Sequence, residues 1–261
     1  MSAPVARETG ALVVAVALAM MALSGCAQGT KASVRSESPQ ALVTTSPTTS
    51  PSPSSTQIPP GSSLVATAVT KHVDVERSPS PVPAKPRWRL ANPNNLGAPL
   101  VFEVVGQQPG WWQVRVPARP NGSFGWVSAS DVRIELNPYS MTASLHRHVL
   151  TVYKYGEVMW RLRIGVGAPD APTPTGQYYL TELLIAAHPG GPYGPYAYGT
   201  SAFSNVFSEF EGGNGQIGVH GTNNPASIGA SISHGCIRLH NADISKLAHV
   251  IPAGTPLTIR E

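Results

Sequence analysis

From Leu64 onward the chain is written in short period-two runs separated by turn residues, a pattern that β-strands satisfy and helices do not. Leu64-Val65-Ala66-Thr67-Ala68-Val69-Thr70, Val73-Asp74-Val75-Glu76, Leu100-Val101-Phe102-Glu103-Val104 and Trp112-Gln113-Val114-Arg115-Val116 alternate in this way. Asn92-Pro93-Asn94-Asn95, Pro109-Gly110 and Pro120-Asn121-Gly122 punctuate them with residues suited to tight or left-handed backbone. Packed into roughly 70 residues, these strands predict a small barrel-like domain over residues 63–136. It contains Trp111, Trp112 and Trp126. Aromatic rings bury large areas in small cores, so at least two of the three are expected inside.

The preceding segment has no means of forming such a core. The first 87 residues hold no Phe, Trp or Tyr, residues 38–70 carry no charge, and seventeen of the twenty residues 44–63 are Ser, Thr or Pro. Too little apolar surface is available there to offset the entropy lost on ordering, so residues 26–62 are read as a disordered tether. It would span about 30 Å as a flexible coil and at most about 110 Å as polyproline. In front of it stand Arg7, an apolar run of thirteen residues from Ala11 to Leu23, and Leu23-Ser24-Gly25-Cys26. This arrangement resembles a bacterial lipobox. The resemblance implies a signal peptide over residues 1–25, a lipid on Cys26, and a chain anchored outside the cytoplasm to the cell membrane and facing the cell wall. An ordinary secretory signal or short membrane anchor is the alternative, although thirteen residues fall short of the ~20 that span a bilayer.

The formal net charge is +4, but it is unevenly placed. Residues 27–87 carry six Lys or Arg against three acids, and residues 88–261 carry eleven against ten. The strand-rich part is thus nearly neutral, which argues against nucleic acid as a partner.

Past residue 138 the strand pattern continues with glycine-rich loops. Ser144 to Tyr153 and Glu157 to Gly167 read as a hairpin turning near Tyr155-Gly156, and Pro172-Thr173-Pro174-Thr175-Gly176 leads into a strand from Gln177 to Leu180. Tyr193, Tyr196 and Tyr198, set among glycines and prolines, read as a loop. Asn241 is expected as the N-cap of a short helix with Ile244, Leu247 and Ala248 on its apolar face, stopped by Pro252 and Gly254. A last strand, Leu257 to Ile259, closes the chain's pattern.

Two cysteines exist, and if Cys26 is lipidated Cys236 is the free thiol. It lies in Ile232-Ser233-His234-Gly235-Cys236-Ile237-Arg238-Leu239, sixteen residues after His220 of Ile217-Gly218-Val219-His220-Gly221-Thr222. A thiol becomes a strong nucleophile when an imidazole in hydrogen-bond reach takes its proton. His220, His234, Cys236 and His240 also offer ligand types for zinc, but without the closely paired spacing of a structural site or the cluster of a catalytic one. Neither Ser-x-x-Lys nor Gly-x-Ser-x-Gly occurs, which leaves serine chemistry without a motif.

The ordered set of hairpin, Thr-Pro-Thr-Gly turn, His-Gly and Ser-His-Gly-Cys-aliphatic-Arg strongly resembles the L,D-transpeptidase (YkuD-type) catalytic domain, over residues 138–261. Gly110-Trp111-Trp112-Gln113-Val114 with Gly125-Trp126-Val127 resembles, more briefly, a bacterial Src-homology-3-like domain, in which the tryptophans would alternatively line a wall-binding groove. The fold class expected is therefore mainly β: a small barrel-like domain, then a β-rich catalytic domain with a short C-terminal helix.

The resemblance implies that Cys236 is the nucleophile and His220 the base, oriented by a backbone carbonyl such as that of Gly221. Backbone N–H groups at Gly235 and Cys236 would stabilise the oxyanion, with His234 in electrostatic support. Arg238, two residues beyond Cys236, would share a strand face with it and clamp a substrate carboxylate; a structural ion pair is the alternative. Ser233 and Tyr198 are further substrate-binding candidates; Ser233 reads as a turn residue rather than a catalyst, and the tyrosine block as a lid over the substrate or as ordinary surface-loop packing. The substrate implied is the peptidoglycan stem peptide, with formation of 3→3 crosslinks, no cofactor or metal, and carbapenems as acylating inhibitors. An L,D-carboxypeptidase, a thiol peptidase or amidase that only cuts the wall, and a non-catalytic wall-binding lipoprotein remain as alternatives.

Overall fold

A computed structural model describes residues 58–80 and 85–261, so the expected signal peptide, Cys26 and the tether up to residue 57 lie outside the described residues. Seven strands come first: β1 (Ser63–Ala68), β2 (His72–Val75), β3 (Trp88–Ala91), β4 (Val101–Gln108), β5 (Trp111–Arg115), β6 (Phe124–Ser128) and β7 (Val132–Asn137). Five of them form an antiparallel sheet in the order β6-β5-β4-β1-β7, and β2 and β3 form a separate hairpin joined to it by a Glu76–Trp126 bridge. Alternation sends Ala66, Val75, Phe102, Val114 and Val127 into one shared core.

The same alternation corrects the expectation for the tryptophans. Trp112 pairs with Val127 and packs on that core, whereas Trp111 and Trp126 sit opposite Ser128 and Gln113 on the other face of the sheet. Adjacent residues of one strand cannot both point inward, so only one of the three is core. Trp111 instead lines an open cleft of about 350 Å³ with Gln107, Gln108, Pro109 and Gly110.

The second part contains β8 (Tyr139–Ser144), β9 (Val149–Lys154), β10 (Glu157–Arg163), β11 (Val166–Gly167), β12 (Gly176–Ile185), β13 (Tyr196–Phe203), β14 (Gln216–His220), β15 (Ser231–Ser233), β16 (Ile237–Arg238), helix α1 (Asn241–Ala248) and β17 (Pro256–Arg260). Eight of these strands build one sheet in the order β10-β9-β8-β17-β12-β13-β14-β16, and β11 pairs with β15 beside it. Strand β17 lies in the middle, antiparallel to β12 and parallel to β8. Ile244 and Leu247 of α1 bury against this sheet with Tyr198, Ile217, Val219 and Ile237. The class is thus mainly β with one short helix late in the chain, as expected.

Three local expectations change. Ser144 to Tyr153 is divided, because β8 ends at Ser144 and His148, at φ 52°, turns the chain into β9. Tyr196 to Tyr198 belong to β13, an inner strand paired on both sides by β12 and β14, which the flanking prolines and glycines conceal. His240 rather than Asn241 takes the N-cap position of α1, without a side-chain bond.

All described residues belong to one compact unit, and the two sheets are fastened together. Val65, Val101 and Tyr179 form a small apolar cluster, with the Tyr179 hydroxyl donating to the Val101 carbonyl at 3.1 Å. Buried Asn137, at the connection, donates to Thr255 Oγ1 at 2.9 Å. Asn94 donates to Glu182 at 3.0 Å, and Arg115 donates to Gln177 at 3.0 Å. Nine residues from the two sheets and their loops thereby share one seam.

Candidate active site

Strands β14 and β16 run parallel with Val219 opposite Ile237 and His220 opposite Arg238. Cys236 immediately precedes β16, which carries its thiol over the middle of β14. There the Gly218 N–H donates to Cys236 Sγ at 3.3 Å. A Cβ at Gly218 would lie 3.8 Å from that sulfur and 3.6 Å from His220 Cδ2, so thiol and imidazole border the space this glycine leaves empty. His220 is 3% exposed, and its Nδ1 lies 2.5 Å from the Gly221 carbonyl. That contact defines a tautomer: Nδ1–H donates and Nε2 keeps its lone pair.

Burial dominates the charge balance of the pair. It lowers the His220 imidazole to about 4, more than the Gly221 bond raises it, and Arg238 lowers it further. It also pushes the Cys236 thiol up, against the smaller opposing effects of the Gly218 N–H and Arg238. At neutral pH burial therefore favours the uncharged form of both groups.

The chain bends sharply from the end of β15 at Ser233 through His234, Gly235 and Cys236 to β16 and does not run as one strand. Gly235 adopts φ +113°, and a side chain there would meet Ile217 Cδ1 at 2.8 Å. Ser233, 1% exposed, donates to the Cys236 carbonyl at 2.6 Å and accepts from Gly235 N–H at 3.2 Å. Its hydroxyl is spent on the turn, which corrects the substrate-binding expectation for Ser233, and Gly235 N–H is engaged rather than open to an oxyanion. The bend also breaks the period-two argument that put Cys236 and Arg238 on one strand face. His234 is exposed and rests against the rings of Phe210 (4.9 Å between centroids) and Phe207 (6.1 Å). Arg238 is anchored through its backbone to Gly165, and its buried Nε has no hydrogen-bond partner among the described residues.

Tyr198 is likewise corrected. It is 1% exposed and its hydroxyl donates to the carbonyls of Ile251 (2.6 Å) and Leu247 (3.1 Å), tying β13 to the end of α1 instead of meeting substrate. The tyrosine at the site is Tyr193, whose ring meets the His220 imidazole edge-on at 4.8 Å and whose hydroxyl donates to Glu211 at 2.5 Å.

Two residues that the sequence marked only as a helix start and a turn also brace the site. Asn241 Oδ1 accepts the Thr222 N–H at 2.8 Å and fills the space beside Gly194 and Gly221, so the His-Gly loop sits on the start of α1. Buried Thr173 accepts from Gly167 N–H at 2.9 Å and donates to the Gly235 carbonyl at 2.8 Å, bracing the nucleophile turn from behind. Among the described residues no three His, Cys, Asp or Glu side chains converge as a metal centre requires.

Residues 138–259 match the family model YkuD, the L,D-transpeptidase catalytic domain. YkuD of Bacillus subtilis (strain 168), named as an L,D-transpeptidase, is 39% identical over 122 residues, covering 47% of this chain and 66% of that protein. Its namesake in Bacillus licheniformis is 33% identical over 154 residues, or 56% of this chain and 85% of the relative. Among solved structures, an L,D-transpeptidase from Mycobacterium smegmatis is 17% identical and covers 62% of this chain and 90% of that one, with a TM-score of 0.38. Cys236 and His220 both lie inside the matched segment, and with one third identity over most of a relative's length the chain belongs to the YkuD family of L,D-transpeptidases.

Proposed function

We propose that the chain is a cysteine-dependent L,D-transpeptidase that crosslinks peptidoglycan stem peptides. The observation that carries this reading is the neutral Cys236–His220 pair around the empty side-chain position of Gly218, within the family-matched segment. Cys236 Sγ attacks the carbonyl of the third residue of a tetrapeptide stem while His220 Nε2 takes the thiol proton. The tetrahedral intermediate collapses to a thioester, and the proton passes from His220 to the departing amine of D-alanine. A side-chain amine of a neighbouring stem then attacks the thioester, loses its proton to His220 and expels the thiol, giving a 3→3 crosslink. Water in place of that amine gives the L,D-carboxypeptidase outcome.

With Gly235 N–H engaged by Ser233, the Cys236 N–H is the better oxyanion donor of the two named from the sequence. The unpartnered Nε of Arg238 supports a role for its guanidinium in holding a substrate carboxylate. Solved relatives include an L,D-transpeptidase in complex with imipenem, and acylation of Cys236 by carbapenems is part of this reading. So are lipidation at Cys26, an extracytoplasmic site facing the wall, and a Src-homology-3-like role for the first sheet, whose outward Trp111 cleft supports contact with wall polymer.

Mass spectrometry of products from disaccharide-tetrapeptide units, with the purified chain and with Cys236→Ala, tests the reaction. A Cys236-dependent dimer lighter by one alanine is expected. Tripeptide monomer alone would replace transpeptidation by carboxypeptidation, and no Cys236-dependent product would overturn both.

A further inference from the structure

The segment from Ser204 to Gly215, between β13 and β14, carries Phe207, Phe210 and Glu211, which stand against His234 and Tyr193 at the mouth of the site. Its ends pair through the Ser204 N–H and the Gly215 carbonyl at 2.8 Å, and a turn of the first sheet, between β5 and β6, grips them from outside. Arg119 Nη1 donates to the Ser204 carbonyl at 2.7 Å, and Nη2 donates to those of Phe207 at 2.9 Å and Asn214 at 3.2 Å. The guanidinium also stands 5.0 Å over the Phe203 ring. Two residues on, Asn121 forms a strand-like pair with Phe203, donating to its carbonyl at 2.7 Å and accepting its N–H at 2.9 Å. Gly215, at φ +73°, closes the loop where a side chain would meet the Phe207 carbonyl and Arg119 Nη2.

We propose that Arg119, with Asn121, is a positioning residue for the active site, so that the first sheet completes the substrate cleft of the second. This deepens the transpeptidase reading and rests on it for the identity of the substrate. The geometry suits arginine specifically: a planar guanidinium presents several donors in fixed directions and holds three carbonyls from both ends of the loop, which a single ammonium does not. From the clamped loop two contacts lead inward. Glu211 holds the Tyr193 hydroxyl and so the ring beside His220, and Phe207 with Phe210 holds His234 two residues before the nucleophile. Neither Arg119 nor Asn121 touches the reacting atoms, so the expected signature is a disordered cleft wall with an intact nucleophile.

The test compares the full chain with Arg119→Ala, Arg119→Lys and Asn121→Ala by hydrogen exchange, iodoacetamide alkylation of Cys236, and steady-state turnover of disaccharide-tetrapeptide. For Arg119→Ala, amide exchange across residues 204–214 is expected to accelerate at least tenfold while Val219 and Ile237 keep their protection. Alkylation should change at least threefold and KM for the donor should rise about tenfold, with a smaller change in kcat. Arg119→Lys should fail to restore these values. Unchanged exchange in the loop, or a loosened loop with unchanged alkylation and KM, would overturn the proposal. Arg119 is exposed, and if its alanine variant still failed to fold, Asn121→Ala would have to reproduce the loop effect or refute it. Exchange and alkylation need no transpeptidase activity. A wild type without Cys236-dependent transfer but with Arg119-dependent loop order and alkylation would remove the functional reading and leave the positioning role standing.

Discussion

One wall of the cleft is held by bonds that stay within a single sheet, and the other by bonds that cross from a different one. Cys236 and His220 are fixed by Gly218, Gly221, Ser233 and Thr173, all in the large sheet or its adjoining loops. The opposite rim, Tyr193 with residues 204–215, depends on Arg119 and Asn121 from the small sheet. The contrast separates two tasks. Proton transfer and attack need sub-ångström constancy and are built from short-range backbone contacts, whereas recognition of a large polymer tolerates a wall supplied by a neighbour.

The largest effect should come from the first wall itself. His220→Gln removes the base, and acylation of Cys236 should slow by about three orders of magnitude without loss of fold. The wild-type rate tests the electrostatics: with His220 at about 4, the base form persists far into acid, so the acid limb of kcat/KM should lie near pH 4 and not near 6.5. A corresponding slope in stability follows from the sign of the shift. The unfolded imidazole takes up its proton below pH 6.5 while the folded one resists, so the contribution of His220 is complete above 6.5 and is lost as pH falls towards 4. Melting temperatures of wild type and His220→Gln over that range should differ in slope, and parallel curves would refute the burial argument.

Gly218→Ala probes the shared space without touching either reactive group. Its methyl fits at ordinary contact distances, 3.6 and 3.8 Å from the imidazole and the sulfur. Acylation should fall by about 100-fold with an unchanged melting temperature. Thr173→Val breaks the brace behind the turn and leaves Gly167 N–H and the Gly235 carbonyl without partners, at a cost of about 2 kcal/mol by chemical denaturation. The smallest effect belongs to the far wall. Tyr193→Phe loses only the bond to Glu211, and KM should rise about threefold with kcat nearly constant; a large fall in kcat would assign Tyr193 to the first wall instead.

Cys236 and His220 were legible as candidates because both sit in short motif runs, and the strands because alternation is local. Tyr198 was misplaced in a loop because the Gly-Pro punctuation before Tyr196 hides an inner strand, and strand membership decides which ring is buried. The tryptophans failed for a related reason, since composition says how many rings a core needs and only register says which ones enter it. Arg119 was invisible altogether: its partners lie 85 to 95 residues away, and no periodicity encodes a contact of that span.

Strand β17 sits between β8 and β12, dividing the large sheet into a half that holds β8, β9 and β10 and a half that holds the reactive pair. Synthesis runs the other way: Cys236 leaves the ribosome before residues 256–260 exist. The two halves also meet where Gly165, just past β10, pairs with Arg238 of β16, so β17 closes from the other side a frame that already reaches the thiol's own strand. A short strand that bears none of the chemistry thus completes the sheet beside Cys236 and His220, and it does so only once residues 256–260 have been made.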